Sequence, residues 1–201
     1  MDSSISRRAL TAALPAMAAL TLLPGAAFAL NVGEARALID KAIADVNRVI
    51  NSGKSEPAMY KDFEQIFVRY ADVRYIAQSA LGPAGRGADP AVMGAYVKAF
   101  QGYISRKYGK RFREFIGGKI EVKTARPIKA GYEVRTTAYL SGQAPFEVVF
   151  LVSDKSGKDK FFNMYIEGVN MLLTERTEIG AMLDKRGGNI DRLIADLATA
   201  G

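Results

Sequence analysis

Residues 131–140, GYEVRTTAYL, decide the fold, because from Glu133 to Leu140 polar side chains alternate with apolar or small ones. A period of two residues predicts a β-strand with one buried face. Three further runs alternate in the same way, at 119–124, 146–152 (less cleanly) and 162–166. Short, turn-rich segments connect the runs, at 129–131, 141–143 and 154–159. The four runs therefore predict an antiparallel meander that is apolar on at least one face.

Predicted helices precede and follow this sheet in the chain. Apolar residues recur at spacings of three and four, which is typical of amphipathic helices. The predicted helices cover about 32–50, 59–70, 73–81, 90–115, 169–183 and 190–197. The order of helices, sheet and helices predicts an α+β fold, in which the helices cover one face of a curved sheet and leave a cavity between.

The longest helix opens at Asp89-Pro90 and carries a bulky apolar stripe. Two glycines, Gly102 and Gly109, interrupt this helix, and each costs about 1 kcal/mol relative to alanine. Two interpretations stay open at this point: another backbone packs closely there, or the helix bends to admit a ligand. The stripe consists of Met93, Tyr96, Val97, Phe100, Tyr103, Ile104, Tyr108, Phe112 and Phe115.

The first 29 residues have the organisation of a bacterial export signal. Arg7-Arg8 gives a positive start, an apolar run from Leu10 to Leu23 follows, and Ala27-Phe28-Ala29 is a small-x-small cleavage site. The run is too short for a membrane span, which needs roughly 20 residues. We expect residues 1–29 to be a cleaved signal and 30–201 to be one periplasmic domain. The arginine pair leaves open whether export uses the Sec or the twin-arginine route.

Composition excludes several kinds of chemistry. The chain has no cysteine and no histidine, which removes thiolate and imidazole metal sites and every nucleophile system that depends on these side chains. We therefore expect no metal and no cofactor. The net charge of +7 fits anionic membrane surfaces or simple solubility, and nucleic acid is not an expected partner of an exported protein.

Several short motifs, in order and spacing, resemble the MlaC family of phospholipid carriers, also called toluene-tolerance auxiliary proteins. The most specific block is C-terminal: Ile166-Glu167-Gly168-Val169, Arg176-Thr177-Glu178, Gly187-Gly188, Leu193-Ile194 and Leu197. The earlier motifs are Asp72-Val73, Ile76-Ala77, Leu81-Gly82, 96-YVKAF-100 with Tyr108, and Val122 with Ala125-Arg126. Two positions depart from the family pattern: no Trp follows Leu81-Gly82, and Asn170 replaces a small hydroxyl residue.

The resemblance implies a roll similar to that of nuclear transport factor 2, with lipid acyl chains as cargo and no catalytic residues. It also implies transfer of phospholipid between an outer-membrane lipoprotein–porin complex and an inner-membrane ABC transporter with an MCE-domain protein, which maintains outer-membrane lipid asymmetry. The alternative is an enzyme of the same roll, an isomerase or dehydratase that uses Glu147 or Glu167 as acid or base.

We expect a lipid pocket between the inward strand residues and the long helix, with a basic run of that helix near the pocket mouth or a docking surface. The predicted lipid-binding residues are Tyr96, Phe100, Tyr103, Ile104, Tyr108, Val134, Ala138, Phe146, Val148, Phe150, Phe162 and Met164. The predicted docking or head-group residues are Arg106, Lys107, Lys110, Arg111 and Arg113.

Overall fold

The computed structural model describes residues 30–112 and 118–201. The predicted export signal, Arg113 and Phe115 lie outside the described residues. The helices are α1 (Val32–Ile50), α2 (Glu56–Tyr70), α3 (Val73–Leu81), α4 (Pro90–Phe112), α5 (Met171–Asp184) and α6 (Ile190–Leu197). The strands are β1 (Lys119–Ile128), β2 (Gly131–Tyr139), β3 (Phe146–Ser153), β4 (Lys160–Ile166) and β5 (Val169–Asn170).

The sheet is fully antiparallel, in the order β1-β2-β3-β4-β5. The predicted α+β class and meander are confirmed, but the predicted count of four strands is one short. The missed strand β5 has two residues, too few to show any periodicity. It follows a two-residue turn in which Glu167 and Gly168 both have positive φ, 50° and 80°, the backbone that a tight hairpin requires.

The two faces of the sheet differ in chemistry. The register places Val134, Phe150 and Met164 side by side on β2, β3 and β4, so their side chains share one face, because neighbouring residues of adjacent strands point the same way. On the opposite face Glu133 pairs with Arg126 and Arg135, and Arg135 also pairs with Glu147. The helices therefore cover the apolar face, as predicted.

Helix α1 is fixed at its start and along its length. Asn31 and Glu34 form a reciprocal capping box, which satisfies backbone N–H groups that a helix start leaves without partners. One turn later Arg36 donates to the carbonyl oxygens of Val122 and Lys123, where the β1–β2 register shifts. These bonds hold α1 against the β1 edge of the sheet.

Helix α4 contacts α2 closely at Gly109. A Cβ atom at Gly109 would lie 2.6 Å from the Tyr60 ring, so no larger residue fits without a shift of the ring. At Gly102 the near neighbour is the helix's own Arg106 side chain. Close packing thus accounts for Gly109. None of the described helices is long and apolar enough to cross a membrane.

Candidate functional site

A cavity of about 270 Å³ lies between the apolar face of the sheet and helices α1, α2 and α4. This volume is near the lower end of small-molecule pockets. Its lining comprises Ala42, Ile43, Val46, Phe63, Ile66, Phe67, Ile104, Ser105, Tyr108, Arg111, Ile120, Leu140, Gln143, Phe146, Val148, Phe150, Phe161, Met164, Ile166 and Glu167.

The cavity is apolar inside and polar at one end. Among the described residues of the lining, only Arg111, Gln143 and Glu167 are exposed. They come from the end of α4, the β2–β3 turn and the β4–β5 turn. We call these three residues the mouth. A ligand with a long apolar part and a polar end fits this arrangement, because apolar walls reward burial of hydrocarbon and the mouth lets charge stay in water.

A smaller pocket of about 40 Å³ adjoins the cavity. The two share Phe67, Ile104, Tyr108, Phe161 and Met164 as lining residues, so these side chains form the partition between them. The remaining walls of the small pocket are Ile76, Phe162, Asn163, Met171, Leu172 and Glu175.

The structure places the twelve predicted lipid-binding residues in three environments. The cavity lining holds Ile104, Tyr108, Phe146, Val148, Phe150 and Met164. Phe162 lines the small pocket. Tyr96, Phe100, Tyr103, Val134 and Ala138 are buried outside both linings. That these residues bind lipid stays a prediction.

The buried tyrosines of α4 use their hydroxyl groups as donors. Tyr96 donates to the carbonyl oxygen of Ala77 at 3.1 Å, which ties α4 to α3. Tyr103 donates to Glu178 at 2.9 Å and Tyr108 to Glu175 at 2.6 Å. Burial, and next the charge of Glu175, raises the pKa of all three hydroxyl groups. They therefore stay neutral and act as hydrogen-bond donors.

Glu175 is the central buried charge beside the cavity. Glu175 is only 2% exposed. Its Oε1 accepts from the Tyr108 hydroxyl and from Lys107 Nζ, the latter at 2.7 Å. Lys107 also bonds Glu178 at 2.5 Å, so one ammonium group joins two carboxylates of α5 to α4. Glu175 Oε2 has no hydrogen-bond partner among the described residues. Burial of a charge is tolerated here because the charge is paired.

Sequence reasoning missed Glu175 and the walls that α1 and α2 supply. One signal was available for Glu175: it lies four residues from both Met171 and Ile179, on the helix face that enters the core. For α1 and α2 the apolar stripes were recognised. A stripe that packs and a stripe that lines a cavity have the same spacing, however, so nothing in the sequence distinguished them.

The predicted basic run of α4 is divided among different contacts. Arg106 donates to the carbonyl oxygens of Leu197 and Ala200, at 2.5 and 2.8 Å, and so holds the C-terminal segment. Lys107 binds the two carboxylates of α5, and Lys110 donates to the Gly201 carbonyl at 2.6 Å. Arg111 is exposed at the mouth. Arg113 lies outside the described residues.

The mouth and the outer sheet face hold the two carboxylates considered for catalysis. Glu147 is exposed and bonds Arg135 at 2.9 Å, on the face opposite the cavity. Glu167 is exposed at the mouth. Within residues 30–112 and 118–201 no group of three or more His, Cys, Asp or Glu side chains is arranged to hold a metal ion.

An apolar cavity lies between helices and one face of an antiparallel sheet, with polar groups at its mouth. This is the arrangement of a small α+β protein with space for a hydrophobic ligand. The family model described as "MlaC protein" matches residues 38–199, and the chain belongs to the MlaC family. A similar solved structure is a phospholipid-binding protein from Ralstonia solanacearum in complex with a phospholipid. The two chains are 22% identical, with a TM-score of 0.69, and the match covers 82% of this chain and 99% of the other.

Proposed function

We propose that this protein is a periplasmic phospholipid carrier that takes acyl chains into the cavity and leaves the head group at the mouth. The observation that carries the proposal is the separation of an apolar interior from a polar mouth formed by Arg111, Gln143 and Glu167. Family membership and the phospholipid in the Ralstonia relative support it.

Hydrocarbon burial supplies the affinity that a carrier needs. Each CH₂ group moved from water into an apolar site contributes about 0.8 kcal/mol. Ten such groups would contribute roughly 8 kcal/mol before the entropic cost of ordering the chain. Specific polar contacts deep in the cavity are therefore unnecessary for binding.

The place of the carrier in the cell follows from the sequence and the family resemblance. The export signal at residues 1–29 would deliver the domain to the periplasm. There it would shuttle phospholipid between an outer-membrane lipoprotein–porin complex and an inner-membrane MCE-domain protein with its ABC transporter. Such transfer maintains outer-membrane lipid asymmetry.

Catalysis is the less favoured function. An acid or base that works in an apolar pocket needs a carboxylate inside that pocket. Glu147 lies on the outer sheet face with Arg135, and Glu167 lies at the exposed mouth. No observation at either residue favours a chemical step over binding.

The test is to purify the protein from the periplasm, extract it with organic solvent and identify the extract by mass spectrometry. We expect about one phospholipid per folded molecule. Val148→Trp, which fills the cavity, should lower this ratio. Thr137→Trp, on the neighbouring strand and the outer face, is the matched control and should leave it unchanged. A folded wild-type protein without phospholipid, or equal ratios in both variants, would contradict the proposal.

A further inference from the structure

Three of the most exposed large apolar side chains lie near the β5 edge of the sheet. Tyr75 is 48% exposed, Val169 54% and Leu173 60%. We call these three residues the apolar patch. Single exposed apolar residues are ordinary, whereas a group of them marks an interaction surface.

A series of contacts relates the members of the apolar patch. The Tyr75 ring meets Phe162 of β4 edge-on, with ring centroids 5.8 Å apart. The next residue, Asn163, donates to Asn170 at 3.0 Å. The same Asn170 oxygen caps α5 by accepting from the Leu173 N–H at 3.1 Å. Tyr75 and Leu173 therefore both lie near residues 162–163 of β4, and Val169 directly precedes the capping residue.

Two unpaired cations flank the patch. Arg74 precedes Tyr75, and Arg176 lies one helical turn after Leu173; both are exposed. Neither has an ion-pair partner among the described residues, whereas on the outer sheet face Arg126 and Arg135 are both paired with carboxylates. The nearest acids along the chain have other partners. Near Arg74, Asp72 accepts the Tyr75 N–H as the α3 cap, and on either side of Arg176, Glu175 and Glu178 both bind Lys107.

One member of the patch, Val169, follows the mouth residue Glu167 by two positions in the chain. Glu167 belongs to the mouth, and the turn it forms with Gly168 leads directly into Val169. A surface that contacts the patch would therefore lie beside the opening through which a ligand enters. Arg111 adds a third exposed cation at that opening.

We propose that the apolar patch, with Arg74 and Arg176, docks the protein on the surface of an anionic phospholipid bilayer and turns the mouth toward the lipids. This inference rests on the proposed carrier function and adds a contact with the bilayer in which the partner complexes lie. Exposed apolar side chains flanked by unpaired guanidinium groups match a bilayer surface, where apolar groups enter the head-group region and cations meet lipid phosphates. A tyrosine suits this boundary because its ring is apolar and its hydroxyl is polar.

The absence of tryptophan from the sequence allows a direct test with single-tryptophan variants of the lipid-loaded protein. Leu173→Trp places the reporter on the patch. Val32→Trp is the matched control, since Val32 is also exposed but begins α1, whose next turn is anchored to β1 at the other sheet edge. The probes are vesicles of phosphatidylcholine alone and of phosphatidylcholine with one quarter phosphatidylglycerol, at low and high salt.

We expect the Leu173→Trp emission to shift to the blue with anionic vesicles at low salt and to be quenched by brominated acyl chains. High salt should weaken both effects, because it screens exposed charges. Val32→Trp should show neither effect. Equal responses of the two reporters, or no response from Leu173→Trp and from a second reporter, Tyr75→Trp, would overturn the inference.

Charge variants test the cations separately. Arg74→Gln with Arg176→Gln should weaken vesicle binding roughly tenfold or more, since each cation near an anionic surface contributes about one kcal/mol. Arg126→Gln with Arg135→Gln removes the same charge from the outer sheet face and should have a much smaller effect. Equal losses in both pairs would mean that net charge, and not this surface, attracts the protein, and would overturn the inference.

Three further results distinguish the failure of this inference from the failure of the proposed function. Suppose that the purified wild-type protein contains phospholipid but the Leu173→Trp emission does not change with vesicles. This result supports the carrier function and overturns bilayer docking. A blue shift that occurs only with a periplasmic partner protein, and never with vesicles, also overturns it and assigns the patch to that protein. A wild-type protein that binds vesicles but contains no phospholipid contradicts the carrier function alone.

Discussion

The two halves of α4 carry the same kind of apolar stripe and serve different purposes. In the first half Tyr96 and Phe100 are fully buried, and neither lines the cavity or the small pocket. In the second half Ile104 and Tyr108 face the cavity. The difference teaches that partner helices, and not the stripe, decide whether aromatic side chains fill a core or line a pocket. Helix α6 packs against α4, and Arg106 of the second half bonds the carbonyl oxygen of Leu197 at the end of α6.

The largest expected effect is a difference in lost stability between a residue of the packed half of α4 and a residue of the cavity wall. Phe100→Ala should destabilise the delipidated protein by about 4 kcal/mol, because it leaves a void in a fully packed site. Phe150→Ala removes the same group from a half-buried wall residue and should cost clearly less, since one side of the ring already faces empty space. Denaturant unfolding of both variants measures the difference. Equal losses would show that the two regions are packed alike.

A second prediction concerns the charges that join α4 to α5 beside the partition. Lys107→Met should destabilise the protein by about 3 kcal/mol, because the buried Glu175 carboxylate loses its cation. The double variant Lys107→Met with Glu175→Gln should be more stable than Lys107→Met alone, since no uncompensated charge stays buried. A double-mutant cycle from unfolding curves checks this. If the double variant loses as much stability as the two single variants together, the pairing of Lys107 with Glu175 is refuted.

A third prediction replaces two residues by larger side chains, where both residues lie on the same face of adjacent strands. Ala138 is fully buried outside the cavity lining, and Val148 lines the cavity. Ala138→Phe should destabilise the protein by about 2 kcal/mol through overpacking, with lipid content per folded molecule unchanged. Val148→Phe should change stability little and reduce the lipid content. Thermal unfolding and quantified lipid extracts test both variants. If Ala138→Phe reduces the lipid content and Val148→Phe destabilises the protein, then Ala138 lines the lipid site and Val148 belongs to the packed core.

The smallest expected effect is a pH dependence at the contact between α1 and α2, where Tyr70 donates to Asp45. The Tyr70 hydroxyl, and then Arg48 and Arg69, hold the pKa of the Asp45 carboxyl below its usual value of 3.8, against the opposing effect of burial. Because the native pKa is below the unfolded one, the stabilisation is present above about pH 4 and is lost as pH falls through the native pKa.

Tyr70→Phe should therefore cost about 1 kcal/mol at pH 7, and less below pH 4. Unfolding free energies measured from pH 7 to pH 3 test this. Tyr75→Phe, on an exposed ring, is the control and should show no such dependence. A Tyr70→Phe difference that stays constant over this range would refute the role of the Asp45 carboxylate.

Local sequence patterns were enough to predict the six helices, the first four strands, and the different chemistry of the two faces of the sheet. The alternation of residues 133–140 predicted β2 and its apolar face, and the spacing of apolar residues from Val32 to Ile50 predicted α1 with the bounds observed. Asp72 as a helix cap is also confirmed, with its side chain accepting from Tyr75. These features depend on neighbours within a turn or a strand, so they can be read locally.

Only the tertiary structure decided where the stripe of α4 changes from core to cavity wall, that α1 and α2 complete that wall, and that Lys107 of the basic run is used internally. Strand β5 and the Glu175 network also required it. The physical reason is that each of these features depends on which element lies opposite, and such contacts join residues far apart in the chain. Glu175 and Lys107 are 68 residues apart, and no local periodicity connects them.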